Sequence, residues 1–439
     1  MTGSPATGRS RSVSLGALAR VEGEGALRIS VDGERVTDVA LEIFEPPRYF
    51  EALLVGRHFT EAPDLTARIC GICPVAYQMS ACAAVEDACG AVVDDEIWDL
   101  RRLLYCGEWI QSHALHVYLL HAPDFLGLAD AVELAEHDRG AVERGLALKR
   151  TGNLVMSTIG GRAVHPVNVR VGGFYSAPPA EAIASLREPL QRALEAAIET
   201  VEWVGDFVFL DVESPYAFAA LEDSGRYAIE RGRPRSSSGL SGSADEFLAA
   251  VTEEQVPHST ALHARLLGTT PYLTGPLARY ALNRAALPPR AAEAAEHAGL
   301  GPECRNPFRS IVVRSVELVA ACEEALRLVE SYQPPPRPAV PVTAPELERS
   351  VGTGATEAPR GTLFQQYEID ADGTILRARI VPPTSQNQLS IEEDLRRVAQ
   401  NSLDLPDSEL QWRCEQAVRN HDPCISCAAH FLDVSVVGR

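Results

Sequence analysis

The chain has 439 residues, 46% of them hydrophobic and 23% charged, which is enough apolar material for a large core and, by length, for two or three domains. Its formal net charge of −20 makes nucleic-acid backbones and anionic membrane surfaces poor partners. No apolar run approaches the roughly 20 residues that span a bilayer, and residues 1–12 are small and polar, so they read as a disordered tail and not as an export signal. Ten cysteines in a large chain of this kind point to a reducing compartment and metal chemistry, with the cytoplasm as the default location.

Two strand-like runs, 26–31 and 36–44, meet at Asp32-Gly33, a hairpin turn signal. Just before them, in Arg20-Val21-Glu22-Gly23-Glu24-Gly25, the glycines allow a tight backbone that could turn Glu22 inward; on pattern alone a solvated turn carboxylate is the plainer reading. Residues 50–55 read as a short helical piece in which Glu51 has apolar neighbours, so this acid is either at an exposed edge or deliberately paired. Arg68-Ile69-Cys70-Gly71-Ile72-Cys73-Pro74 follows. Pro74 suits a first helical position and the run to Cys89 continues as a helix closed by Gly90, which puts Cys73 at a helix N-terminus, where amide dipoles favour a thiolate. Cys82 and Cys89, seven apart, read as packing residues.

The segment 101–121 predicts a long, mostly buried helix enclosing Ser112, His113 and His116, histidines that pattern alone assigns to the core. A glycine-punctuated loop runs from Gly160-Gly161 to Gly172-Gly173, and amphipathic helices are expected near 180–206 and 309–331. The stretch 210–300 carries no chemical signal. Residues 334–345 are proline-rich, an extended connector that delivers Glu357-Ala358-Pro359-Arg360-Gly361 and strands near 362–370 and 374–381. A helix over 390–403 is expected from a capping box, Ser390 with Glu393, and another near 409–420 runs into Asp422-Pro423-Cys424-Ile425-Ser426-Cys427-Ala428-Ala429-His430. There is no glycine-rich phosphate loop or dinucleotide fingerprint. Helix therefore predominates, with small antiparallel β-sheets, an α+β chain.

Two Cys-x-x-Cys turns can bring four thiolates to one ion. A structural zinc site, a dithiol redox pair and unrelated core cysteines all use such pairs. The pairs of a zinc ribbon, however, usually lie roughly 15–20 residues apart. Here most of the chain separates them, which suggests a site built by the whole fold.

The Arg-x-Cys-Gly-x-Cys and Asp-Pro-Cys-x-x-Cys-x-x-His motifs, with Arg-Val-Glu-Gly and Glu-Ala-Pro-Arg-Gly in the same order, resemble from end to end the large subunit of nickel-iron hydrogenases. The wording Cys73-Pro-Val-Ala-Tyr-Gln-Met-Ser-Ala81 further resembles the cytoplasmic, NAD(P)-linked branch that includes the sulfhydrogenases. The resemblance implies a single domain over 13–430 in which the two motif loops meet beside a long-helix bundle. It also implies a catalytic subunit that interconverts H2 with protons and electrons. Cys70, Cys73, Cys424 and Cys427 would hold nickel, with Cys73 and Cys427 bridging to an iron that bears carbon monoxide and cyanide. Arg360, beside Pro359, would overhang the open metal position and be oriented by Asp422; Arg360 and Thr384 would contact the cyanides. Glu22 would pass protons to and from Cys424, and Glu51 and His430 would be ligands of a buried magnesium.

The resemblance implies partners too: an iron-sulfur small subunit, ferredoxin-like and flavin/NAD(P)-binding subunits, and a maturation endopeptidase that removes the extension 431–439. The chain departs from the common pattern at Tyr77, Glu24 and Ser112, which bears on redox poise and proton path and leaves the metal ligands intact. Two rival readings, a metal-free quinone-site subunit related to respiratory complexes and a zinc-stapled scaffold, predict no nickel. The four retained cysteines weigh against the first.

Overall fold

Residues 10–429 are described in the structure, a computed structural model. His430, the extension 431–439 and residues 1–9 lie outside the described residues. Ser10–Leu15 is a strand, β1, so the expected tail over 1–12 is corrected at its last three residues. Its Ser-Arg-Ser-Val-Ser-Leu alternation suits an edge strand, and backbone pairing to a neighbouring hairpin orders a segment that composition alone reads as loose. β1 pairs antiparallel with β2 (Gly25–Asp32), which pairs antiparallel with β3 (Arg35–Ile43). The inner face, Leu27, Ile29 and Val31 at period two with Val39, Leu41 and Ile43, is buried against Ile391, Leu395, Leu410, Cys414 and Val418 of the last long helices.

The expected bundle is present and holds the largest core. Helices Asp95–Leu115, Arg139–Gly160, Arg187–Gly205 and Ser310–Ser331 pack on one another. The second of these gave no signal in the sequence, because Gly140, Gly145, Gly152 and Gly160 read as breakers. The last is buried on nearly every side, more than the amphipathic helix expected near 309–331, because it runs through the middle of the bundle. The helix foreseen over 101–121 starts earlier, at Asp95, and after Leu115 widens into a π-turn, His116–His121.

The three-stranded sheet Arg349–Ala358, Gly361–Asp370, Ile375–Val381 carries the arginine motif. Ala358 pairs with Gly361, so Pro359-Arg360 is the two-residue turn of a hairpin. The first of these strands was not foreseen, since Gly352 and Gly354 weaken a strand pattern. They are there for close approach: a Cβ at Gly354 would stand 2.1 Å from the Ser80 carbonyl oxygen and one at Gly352 2.2 Å from that of Ala84. The strand thus lies directly on the helix Pro74–Ala88, which starts at Cys73 as expected.

The capping box over Ser390 and Glu393 is corrected. The helix spans Pro383–Gln400, and Ser390 lies in its interior, its Oγ donating to the Tyr272 carbonyl at 2.9 Å. Pro382-Pro383 is the stronger start signal, and the buried polar run Thr384–Gln388 disguised the first turns as loop.

A buried ion-pair network fixes the hairpin turn from behind. Arg279 donates to both Glu317 oxygens at 2.7 Å, to Glu357 Oε2 at 3.0 Å and to the carbonyls of Ala358 and Pro359 at 2.9 Å. Burial pushes the Glu317 carboxyl up, but the Arg279 pair outweighs it and holds the group down at about 2. The folded value lies below the unfolded 4.5, so this stabilisation is complete above pH 4.5 and is lost as the pH falls to about 2. Arg279→Met should leave two buried carboxylates unpaired and cost about 3–5 kcal/mol at pH 7. Denaturant midpoints of wild type and variant should converge on acidification through that window.

Candidate metal centre

Each motif loop is shaped by backbone that its own residues require. Cys70 is extended after the turn Ala67–Ile69, and the amides of Ile72 and Cys73 donate to its Sγ at 3.3 and 3.4 Å. The first amides of the following helix, Val75 and Ala76, donate to the buried Glu108 carboxylate at 2.6 and 3.1 Å. Burial pushes the Glu108 carboxyl well up despite those two bonds. In the other loop, Asp422 takes a left-handed conformation (φ 51°), Pro423 ends the preceding helix path, and Cys424 caps the single turn Ile425–Ala428. The Cys424 amide donates to Thr384 Oγ1 at 3.0 Å.

The loops meet. Cys70 Sγ lies 3.5 Å from Cys424 Sγ and Cys73 Sγ lies 3.7 Å from Cys427 Sγ, and all four sulfurs stand within 4.8 Å of one another, almost wholly buried. Arg48 clamps the junction: one Nη2 donates to the Ile69 carbonyl at 2.9 Å and to the Ser426 carbonyl, while its backbone amide donates to the Ala429 carbonyl at 3.0 Å. Four soft sulfurs in this arrangement are a ligand set for nickel or zinc. Packed together they also share protons unequally. Hydrogen bonds from Cys424 and Cys427 draw the Cys70 thiol well below its ordinary range, and burial pushes Cys424 up.

Glu22 is at the sulfurs, not in solvent as the plainer sequence reading had it. Its Oε2 accepts from Cys424 Sγ and from the Ser426 amide, both at 3.1 Å, and its carbonyl accepts from the Ile425 amide at 3.0 Å. Gly23 permits this: at φ 89° a Cβ there would stand 2.7 Å from Ile425 Cβ and from Glu45 Oε2.

Arg360 faces the same sulfurs. Its Nε donates to the Asp422 carbonyl at 2.9 Å and its Nη2 to Asp422 Oδ1 at 3.0 Å, whereas the buried Nη1 has no hydrogen-bond partner. Although burial opposes the charge, Asp422 and the surrounding thiols raise its affinity for the proton well above the ordinary value. Arg360, Thr384, Tyr77, Cys73, Cys424 and Cys427 line a small cavity of ≈ 10 Å³, the size of one water-sized group. A positively charged edge free to donate, beside four sulfurs and a small enclosed space, suits a metal centre that carries anionic ligands. Pro359 completes the turn that holds Arg360 in place.

Glu51 is not gathered with the sulfurs. It is largely buried, accepts from the Ile380 amide at 2.6 Å, and burial lifts its carboxyl to about 7. Its expected co-ligand His430 lies outside the described residues. His116 Nε2 donates to the Arg419 carbonyl at 2.8 Å and His113 Nε2 stands 3.1 Å from Glu317, so both are core histidines that brace the site. Sequence reasoning passed over Arg48, Glu108 and Arg279. A charged residue within an apolar helix, as at Glu108 beside Trp109, was the one available signal.

A family description, Nickel-dependent hydrogenase, matches residues 48–143. Sulfhydrogenase 1 subunit alpha of Pyrococcus furiosus is 32% identical over 422 residues, 96% of this chain and 98% of its own. Sulfhydrogenase 2 subunit alpha of the same organism is 32% identical over 438 residues, 96% of this chain and 99% of its own. The crystal structure of an NAD+-reducing nickel-iron hydrogenase in the H2-reduced state superposes with a TM-score of 0.86 at 26% identity, covering 96% of this chain and 99% of that one. Relatives at this identity along nearly their whole length set aside the quinone-site and zinc-scaffold readings. The chain belongs to the nickel-dependent hydrogenase family, as the large, H2-activating enzyme subunit.

Proposed function

We propose that this is the catalytic subunit of a cytoplasmic, NAD(P)-linked hydrogenase whose Cys70, Cys73, Cys424 and Cys427 hold a nickel-iron centre, the iron bearing carbon monoxide and cyanide. The convergence of the four sulfurs carries the reading. Similarity to an NAD+-reducing nickel-iron hydrogenase supports the linkage to NAD(P). When bound, the centre supplies the electron-pair acceptor for heterolytic cleavage of H2.

The chain's own residues handle charge and protons. Glu22, within hydrogen-bond reach of Cys424 Sγ, takes a proton from that sulfur and returns it in the reverse direction. Arg360, held by Asp422 in the turn behind Pro359, would offer its free Nη1 to the cyanides, and Thr384 Oγ1 accepts from the Cys424 amide. Glu51 with His430 binds magnesium, and a hard cation suits a buried carboxylate whose ionisation burial opposes. Among the described residues no cluster besides the four sulfurs contains cysteine, so electrons leave through an iron-sulfur small subunit and then ferredoxin-like and flavin/NAD(P)-binding subunits. Among the described residues no helix is long and apolar enough to cross a membrane.

Holoenzyme should contain nickel and iron in near-equal amounts and show infrared bands of iron-bound carbon monoxide and cyanide; zinc alone would overturn the reading. Glu22→Gln should keep those bands and both metals while turnover falls by about 10²–10⁴-fold, the usual worth of a positioned acid-base group. Maturation removes residues 431–439 after His430, and the intact mass of H2-active protein should lack them. A mass that still includes Arg439 overturns the cleavage.

A further inference from the structure

Among the described residues, one group of side chains besides the four sulfurs is gathered tightly enough to hold an ion. His258, His263 and Glu392 each bring one donor atom to within 4.8 Å of the others. His258 Nε2 lies 2.8 Å from Glu392 Oε1 and His263 Nδ1 lies 4.0 Å from Glu392 Oε2. The two imidazole rings meet edge to face, 5.4 Å between centroids. A histidine-carboxylate hydrogen bond explains the first distance. It does not explain the second, which is too long for a hydrogen bond although His263 is almost fully buried.

An ion held between the three side chains would explain it. Zinc at about 2.0–2.2 Å from each nitrogen and oxygen sets neighbouring donors about 3.3 Å apart, between the two observed separations. We infer that His258, His263 and Glu392 form a second metal site, for a divalent transition ion that accepts nitrogen and oxygen donors. His258 also lines a groove with Phe44, Gln255 and Pro257, from which water can complete the shell.

The three residues come from different parts of the fold, which gives the site a role. His258 is in the loop after the strand Val251–Glu254, and His263 opens the strand His263–Leu266. Glu392 is on the helix Pro383–Gln400 and also accepts from the Leu41 amide of β3 at 3.0 Å. The loop is already tied to the end of β3 by the Thr260 amide, which donates to the Ile43 carbonyl at 2.8 Å. An ion here pins that loop to the helix whose first turn carries Thr384, about 12 Å away along the axis at 1.5 Å per residue.

The test uses assembled holoenzyme incubated with excess zinc chloride, or with cobalt chloride for its visible bands, and then desalted. Wild type should retain a single added ion per large subunit, with a higher Tm, while nickel and iron are unchanged. His258→Asn and His263→Asn should retain no added ion and show no rise in Tm. His258 is partly exposed, so its variant should fold and turn over H2 normally without added zinc, even if the His263 variant does not accumulate. Failure of wild type to retain zinc or cobalt, or equal retention by the His258 variant, overturns the site. Both readouts are independent of hydrogenase activity.

Discussion

Cys427→Ser is expected to leave the large subunit without a metal centre. The hydroxyl is a poor ligand for nickel, and Cys427 Sγ sits 3.7 Å from Cys73 Sγ within the sulfur group, with no other described side chain placed to replace it. The loss should exceed the roughly 10–100-fold that changes outside the ligand set cost, with nickel and H2 turnover both at background. Elemental analysis separates this from a merely slow enzyme. A serine variant that keeps nickel and iron would remove Cys427 from the ligand set.

Arg360→Lys should do the opposite, keeping the metals and slowing the reaction. The guanidinium reaches Asp422 with Nε and Nη2 at once and still has Nη1 to spare, a fork that an ammonium cannot reproduce. Loss of one positioned donor in a closed, dry site typically costs 10²–10³ in turnover, and about 10² is expected here. The infrared bands of carbon monoxide and cyanide should persist with shifted frequencies. Full turnover in the lysine variant would take Arg360 out of the mechanism.

The hairpin turn that carries Arg360 shows why part of this was hidden in the sequence. The motif itself is visible, and the strands 361–370 and 375–381 follow from an ordinary turn signal. The strand Arg349–Ala358 was not visible, because Gly352 and Gly354 weaken it locally and gain meaning only against the backbone of Pro74–Ala88. The start of helix Pro383–Gln400 was hidden for a related reason: its first turns are polar yet buried, with Gln386 bonded to Tyr272 and to the carbonyls of Thr362 and Val381, partners distant or unrecognised in the sequence.

What the sequence determined by itself was the chemistry on offer: two Cys-x-x-Cys turns, the helix that starts at Cys73, the β2–β3 hairpin, and the arginine and glutamate motifs. Those features depend on residues a few positions apart, where spacing and backbone preference suffice. Only the tertiary structure decided that Glu22 touches Cys424, that Arg48 clamps the two loops and Arg279 braces the hairpin turn, and that His258, His263 and Glu392 meet. Each joins segments far apart in the chain, and a buried charge reveals its partner only when packing has removed the water that would otherwise serve it.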